Sequence, residues 1–196
     1  RQRQPVDTAK MVADLDYLSG GRVDFGVGIG WLKEEFENLG MDFGTRAPRT
    51  EEYLLAMKAL WSDGISEFTG ESVTLKSCHF NPKPVQRPHP PIIFGGESDP
   101  AMRRVARLGD GWYGYDLAPE DLRARLNSLD AALAGSGRRR ADIQVIVGPN
   151  RHPVTPQTLA EYAAEGADQV VVPLFARNVV KLEQRLDALL AMQPAA

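Results

Sequence analysis

The chain alternates short apolar runs with helical segments, and this alternation limits the fold more than any other feature of the sequence. Strands that are apolar on both faces are typical of a parallel sheet covered by helices, whereas half-exposed antiparallel strands alternate apolar and polar residues. The pattern therefore predicts an α/β fold with five strands. The five apolar runs occupy residues 23–28, 92–94, 112–115, 143–147 and 170–172.

The helical segments are marked by apolar residues three or four positions apart. A helix is predicted over residues 5–18, with Ala9, Val12, Leu15 and Leu18 on its buried face. Further helices are predicted from about Thr50 as an N-cap, from about Pro100, from Pro119, from Pro156 and over residues 179–192.

Residues 62–91 interrupt this regular pattern. Five prolines lie near the end of the stretch, and only 72–75 has the composition of a small strand. Long connections without regular structure are uncommon in compact domains and often carry function. We predict an irregular insertion at 62–91 within a single domain that spans residues 1–196.

Composition excludes several classes of function. With 23 Lys and Arg against 26 Asp and Glu, the formal charge is −3, which does not indicate a nucleic-acid or anionic-membrane surface. No stretch approaches the ~20 apolar residues of a membrane span. The single cysteine, Cys78, excludes an internal disulfide and any multi-cysteine metal site, and it fits a cytoplasmic protein. We expect no metal site.

Ligands of parallel α/β folds bind where the strands end, so the residues after each apolar run are the candidates for a site. The first run ends in alternating glycines at 26, 28 and 30, followed by Trp31. Glycines allow a flat ligand to approach the backbone, and Trp31 is suited to line such a pocket. The spacing differs from the dinucleotide fingerprint. Relief of crowding at the sheet rim is the structural alternative.

The second candidate is the segment Gly95, Gly96, Glu97 and Ser98, which leads into a helix. Exposed N–H groups around a helix N-terminus, beside a hydroxyl side chain, favour a phosphate. The alternative is a tight turn followed by an Asp99 N-cap. Glu34, Glu35 and Glu37 are weaker candidates for a general acid, because an acidic run is more often a solvated face.

The order of several short motifs resembles that of the bacterial luciferase-like monooxygenase family. These motifs are LSGGRV at 18–23, GVGIGW at 26–31, PKPVQ at 82–86, the glycine pair at 95–96 and GDGW at 109–112. Glu35, Phe36 and Gly40 follow the second motif, and with it they look most like the deazaflavin-dependent branch. The resemblance covers most of the chain.

This resemblance implies a (β/α)8 barrel of which the chain carries about the last five strand–helix units, strands four to eight. It implies coenzyme F420, a deazaflavin, as the cofactor, with FMN as the alternative. The ring would lie over Gly28, Ile29 and Gly30, with Trp31 lining the substrate side. The phosphate would meet the backbone of the segment from Gly95 to Ser98.

The implied function is an oxidoreductase that transfers a hydride to, or inserts oxygen into, a small organic substrate. The alternative is a non-catalytic flavin-binding protein or an inactive truncated barrel. Luciferases carry a reactive cysteine and an arginine where this chain has Gly28 and Ile29, and the deazaflavin sugar-phosphate dehydrogenases carry a glutamate in place of Trp31. No catalytic acid or base is therefore assigned. Five parallel strands leave open sheet edges, which predicts a homo-oligomer.

Overall fold

A computed structural model describes residues 3–192 of the chain. The chain packs as two compact units, one running to Ile92 and the other beginning at Ile93. The first unit contains α1 (Pro5–Ser19), β1 (Phe25–Val27), α2 (Lys33–Asn38), α3 (Arg46–Trp61), β2 (Ile65–Thr69) and β3 (Thr74–His79). From the boundary onward the elements are β4 (Ile92–Gly95), α4 (Asp99–Leu108), β5 (Gly111–Tyr115), α5 (Pro119–Leu133), β6 (Gln144–Gly148), α6 (Pro156–Glu165), β7 (Gln169–Val170) and α7 (Val179–Leu190).

Strands β4 to β7 pair in chain order as a parallel sheet. Phe94 lies opposite Trp112, and Trp112 lies opposite Val145. These central residues are almost fully buried, and α5 packs against both α4 and α6. The α/β prediction is confirmed, and the prolines at 119 and 156 begin helices as predicted.

The core of the first unit lies between α1 and α3. Trp61 is fully buried, and its indole N–H donates to the carbonyl of Ala9 at 3.0 Å. The predicted face of α1 was wrong at two positions, because Leu15 and Leu18 are 56% and 81% exposed. The buried face of α1 instead consists of Ala9, Val12, Ala13 and Asp16. The carboxylate of Asp16 accepts hydrogen bonds from the backbone N–H and the side-chain amide of Gln86, so this polar residue is satisfied on the buried face.

The predicted start of α3 was also wrong. The helix begins at Arg46, and Thr50 lies inside it as a buried residue whose hydroxyl donates to the carbonyl of Arg46 at 2.7 Å. A short 3-10 turn, Phe43–Thr45, precedes the helix, and the Asp42 side chain caps that turn. A threonine hydroxyl can bond either to backbone N–H groups at a helix start or to a carbonyl four residues earlier inside a helix, and Thr50 does the second.

Residues 62–91 are more ordered than the sequence predicts. Strands β2 and β3 form an antiparallel hairpin within this stretch, with Ser66 opposite Cys78. The predicted small strand at 72–75 extends from 74 to 79. The hairpin was missed because most residues of β3 are exposed, so the strand lacks the apolar alternation that marks a half-buried strand.

Several boundaries in the second unit differ from the predictions by one to a few residues; the helix predicted over 179–192, for example, ends at Leu190. Helix α4 begins at Asp99 with Ser98 as its N-cap, and Pro100 is its second residue. Strand β7 covers only Gln169–Val170. Within residues 3–192, none of the helices combines the length and apolar character needed to cross a membrane.

Candidate functional site

The loop between β4 and α4 contains the predicted phosphate-binding residues Gly95, Gly96, Glu97 and Ser98. Gly96 has a φ of +103°, in the left-handed region that favours glycine. A Cβ added at Gly96 would lie 3.2 Å from the Cβ of Ala101 in the first turn of α4. Backbone conformation and space therefore both favour glycine at this position.

Three hydrogen bonds from neighbouring elements hold this loop. The Trp112 indole N–H donates to the carbonyl of Gly96 at 2.8 Å. The backbone N–H of Tyr115 donates to Oε1 of Glu97 at 3.0 Å, and Nη1 of Arg125 donates to the carbonyl of Glu97 at 3.3 Å. The loop is thus fixed from β5 and α5, and the Glu97 carboxylate is bound to β5.

Space and polar groups lie around the same loop. A Cβ added at Gly95 would meet no atom within 4 Å, so space is open in front of that residue. Ser98 precedes a ten-residue helix, and its side chain makes no capping hydrogen bond. The positive end of α4 and the guanidinium of Arg125 both favour an anion here. The alternative of an Asp99 N-cap does not hold, since Asp99 is the first helical residue.

The predicted ring-binding residues follow β1 in the first unit. Added Cβ atoms at Gly26 and Gly28 would meet no atom within 4 Å, so these glycines face open space rather than a crowded rim. Gly30 has a φ of +74°. Ile29, between Gly28 and Gly30, is half-buried. The Trp31 side chain is 82% exposed. These residues leave room for a flat ligand.

A cleft of about 370 Å³ opens beside the start of this segment. Its walls come from β1, α1 and α3, and its apolar surface includes Phe25, Tyr53 and Met57. The cleft includes Gly28 but neither Ile29 nor Trp31 among its walls. The first unit thus places one of the three predicted ring contacts in a preformed concavity.

The acidic run lies on α2, a short helix that the sequence analysis did not predict. Only Phe36 of this helix is buried, and it packs edge-on against Phe43 at 5.1 Å. Glu37 pairs with Lys33 at 3.2 Å on the exposed side. Within the described residues, no group of three His, Cys, Asp or Glu side chains is placed to hold a metal ion.

Trp112 and Arg125 hold the loop from Gly95 to Ser98, which is called the phosphate loop after its predicted ligand, and neither was predicted as a site residue. Trp112 was identified only as part of a strand, and Arg125 lies on α5 among ordinary helix-surface residues. Their roles depend on β5 and α5 packing beside the end of β4. The GDGW motif at 109–112, which carries part of the family resemblance, was the one available signal.

Comparison with known proteins decides the family. The profile of the luciferase-like monooxygenase family matches residues 2–191. The chain belongs to the luciferase-like monooxygenase family. The predicted resemblance is therefore confirmed at the level of the family, whereas its deazaflavin-dependent branch stays a prediction.

Two relatives and one solved structure illustrate the family. The chain is 32% identical over 136 residues to an FMNH2-dependent dimethylsulfone monooxygenase of Pseudomonas putida, covering 68% of this chain and 38% of that protein. It is 35% identical over 173 residues to an uncharacterised protein of Mycobacterium tuberculosis, covering 87% and 59%. These matches span about two fifths to three fifths of the relatives' own length.

The solved structure is an F420-dependent secondary alcohol dehydrogenase in complex with an F420–acetone adduct. Its TM-score is 0.78 at 16% sequence identity, and the match covers 97% of this chain and 76% of that one. This likeness confirms the predicted fold class, a luciferase-like barrel of which this chain carries part.

Proposed function

We propose that this protein is an oxidoreductase of the luciferase-like family that acts on a small organic substrate with a flavin or deazaflavin cofactor. The observation that carries the proposal is the loop from Gly95 to Ser98. Its left-handed glycine, its open space and its position before α4 all suit the phosphate that FMN and F420 share. Family membership supplies the reaction class.

Within this proposal, the bound cofactor supplies the hydride transfer or oxygen activation, and the chain supplies binding and orientation. Gly95, Gly96, Glu97 and Ser98 would offer backbone N–H groups and one hydroxyl to the phosphate. Arg125 would add positive charge while it holds the carbonyl of Glu97 in place. The Glu97 carboxylate, held by β5, would be kept from competing for those donors.

The ring contacts proposed for this function are Gly28, Ile29 and Gly30, with Trp31 on the substrate side. Their support is the GVGIGW motif and the open space in front of Gly28. The same motif supports F420 as the preferred cofactor. The named activity of the Pseudomonas putida relative, which depends on FMNH2, supports FMN as the alternative.

A matched pair of variants tests the phosphate site. Gly95→Ala places a methyl group in the open space where the phosphate would approach, and Gly135→Ala places one in similarly open space just after the C-terminal end of α5. We expect Gly95→Ala to weaken cofactor binding roughly tenfold, which is about 1.4 kcal/mol, with no loss of folding stability. Gly135→Ala should bind cofactor as the unaltered chain does.

Both cofactors are titrated into each protein while the ring fluorescence is followed. Tighter binding of FMN than of F420 would reverse the preferred cofactor but leave the site intact. If Gly95→Ala and Gly135→Ala bind each cofactor with the same affinity, the phosphate does not bind at this loop. Binding without turnover of any small alcohol, sulfone or alkane would favour the non-catalytic alternative.

Self-association and a cytoplasmic location are also part of the proposal. Strand β7 stands last in the order of the parallel sheet, and this edge position supports self-association, because unpaired strand edges favour pairing with another chain. Light scattering on the purified chain measures the oligomeric state, and a soluble monomer with cooperative unfolding would contradict this part of the proposal.

A further inference from the structure

The second unit contains a cleft that the cofactor proposal does not use. It has a volume of about 540 Å³ and opens beyond the ends of β5, β6 and β7, against α7. This volume lies within the ~300–1,000 Å³ of small-molecule sites. Ligand sites of parallel α/β folds lie at this end of the strands.

The charged side chains that line the cleft are two arginines, Arg151 and Arg185, beside His152. Among residues 3–192, no carboxylate contributes to its walls. Asp116, just behind the wall, accepts hydrogen bonds from Nε and the backbone N–H of Arg151 at 2.6 and 3.0 Å. These bonds hold the pKa of the Asp116 carboxyl below its ordinary value, so the carboxylate stays charged and balances Arg151.

Arg185 carries the positive charge that is left over. Its Nη1 donates to the carbonyl of Phe175, and within residues 3–192 its guanidinium makes no ion pair with a carboxylate. The guanidinium group is therefore held in place but electrically unbalanced. Arginine in this condition is suited to bind an oxyanion through paired N–H donors.

Apolar side chains form the rest of the cleft. Phe175 is 77% exposed there, and Leu189 of α7 and Val172 line the same space. The aromatic side chain of Phe175 can therefore pack against the apolar body of a ligand whose charged group binds Arg185, because Arg185 donates to the carbonyl of the same residue. Inorganic phosphate would use the arginine but would leave this apolar surface exposed to water.

The backbone next to Arg151 and His152 adopts uncommon conformations at two positions. Asp116 and Asn150 have φ values of +57° and +48°, in the left-handed region. The N–H of Asp116 donates to the carbonyl of Gly148 at 2.7 Å, and Nε2 of His152 lies 3.2 Å from the carbonyl of Asp116. Such conformations cluster at functional sites, and here they set the positions of Arg151 and His152.

We propose that this cleft binds an organic anion, a carboxylate or sulfonate carried on a compact apolar or aromatic body. Arg185 would hold the oxyanion, and Phe175 would pack against the body. This inference depends on the second unit alone and not on the proposed cofactor. Its failure would therefore leave the phosphate loop untouched, and it can be tested without any cofactor.

Calorimetric titration with four probes separates the contributions. Benzoate carries both charge and an aromatic body, acetate carries only the charge, benzyl alcohol carries only the body, and glutamyl-glutamate carries several carboxylates without an apolar body. We expect benzoate to bind at least tenfold more tightly than each of the other three. Tighter binding of glutamyl-glutamate than of benzoate would overturn the proposal and would indicate a ligand with several negative charges and no apolar body.

Three variants locate the binding. Arg185→Gln and Phe175→Ala should each weaken benzoate binding at least fivefold, while Arg185→Lys should retain part of it. Arg123→Gln is the control, because Arg123 is an exposed arginine of α5 that pairs with Glu165 outside the cleft. Benzoate affinity that is unchanged in a folded Arg185→Gln variant, or equal affinities for benzoate and benzyl alcohol, would overturn the proposal.

Discussion

Asp16 and Gln86, seventy residues apart in the chain, form a paired hydrogen bond in the first unit. Oδ2 of Asp16 accepts from the backbone N–H of Gln86 at 2.9 Å, and Oδ1 accepts from its side-chain amide at 2.8 Å. The same amide also donates to the carbonyl of Val23 at 2.7 Å. Asp16, two residues before LSGGRV, and Gln86, the last residue of PKPVQ, therefore join two of the motifs that carry the family resemblance in one part-buried polar contact.

Replacing Asp16 with asparagine should destabilise the protein by about 1–3 kcal/mol. The asparagine NH2 group would then face an N–H donor of Gln86, and two donors would oppose each other at a buried side chain. Urea unfolding measures the loss. Asp14→Asn is the control, since Asp14 is a half-exposed partner of Lys10 on the same helix and should change stability by less than about 0.5 kcal/mol. Equal losses in the two variants would contradict the role of the buried contact.

The same carboxylate predicts a pH dependence of stability. Burial alone raises the pKa of Asp16, but the hydrogen bonds that its carboxylate accepts, chiefly from Gln86, together outweigh burial and leave the pKa below its ordinary value. A carboxyl with a lowered folded pKa stabilises the protein fully above its unfolded pKa of ~3.9, and that stabilisation is lost as the pH falls through the folded value. The difference in unfolding free energy between the unaltered chain and Asp16→Asn should therefore shrink below about pH 4. A difference that stays constant down to acid unfolding would exclude Asp16 as the titrating group.

The sequence predicts those parts of the fold that local rules control. Pro5, Pro119 and Pro156 each begin a helix, because proline suits the first helical position, and Gly20 ends α1 in the left-handed conformation. The glycine pair at 95–96 was also recognisable, since a strand end and a helix start coincide there. These signals need no knowledge of distant residues.

Contacts between distant residues control what the sequence did not predict. Leu15 and Leu18 have the spacing of a buried face, but Asp16 is the residue that turns inward, because Gln86 satisfies its carboxylate. Arg125 is an unremarkable helix residue until α5 packs beside the end of β4. Neither role is visible in a window of neighbouring residues.

Gly96→Val should cost stability and cofactor affinity together. A non-glycine residue at a φ of +103° costs about 1–3 kcal/mol, and the added side chain would press on Ala101. Urea unfolding and cofactor titration are measured on the same preparation. Gly135→Val, which lies in open space at an ordinary φ, should leave both quantities nearly unchanged. A fully stable Gly96→Val variant would mean that the loop adopts another conformation in solution.

Trp112→Phe should weaken cofactor binding by more than its effect on stability explains. The change removes the indole N–H that donates to the carbonyl of Gly96, so the phosphate loop loses the bond that fixes it from β5. Because Trp112 is fully buried, loss of this donor should also destabilise the protein by about 1–3 kcal/mol.

Tyr162→Phe is the matched control, since its buried hydroxyl donates to the carbonyl of Leu117 in the same unit, away from the phosphate loop. Under conditions where both variants are fully folded, cofactor titration should show a weaker complex for Trp112→Phe alone. Equal weakening in both variants would mean that affinity follows global stability and that Trp112 does not position the loop.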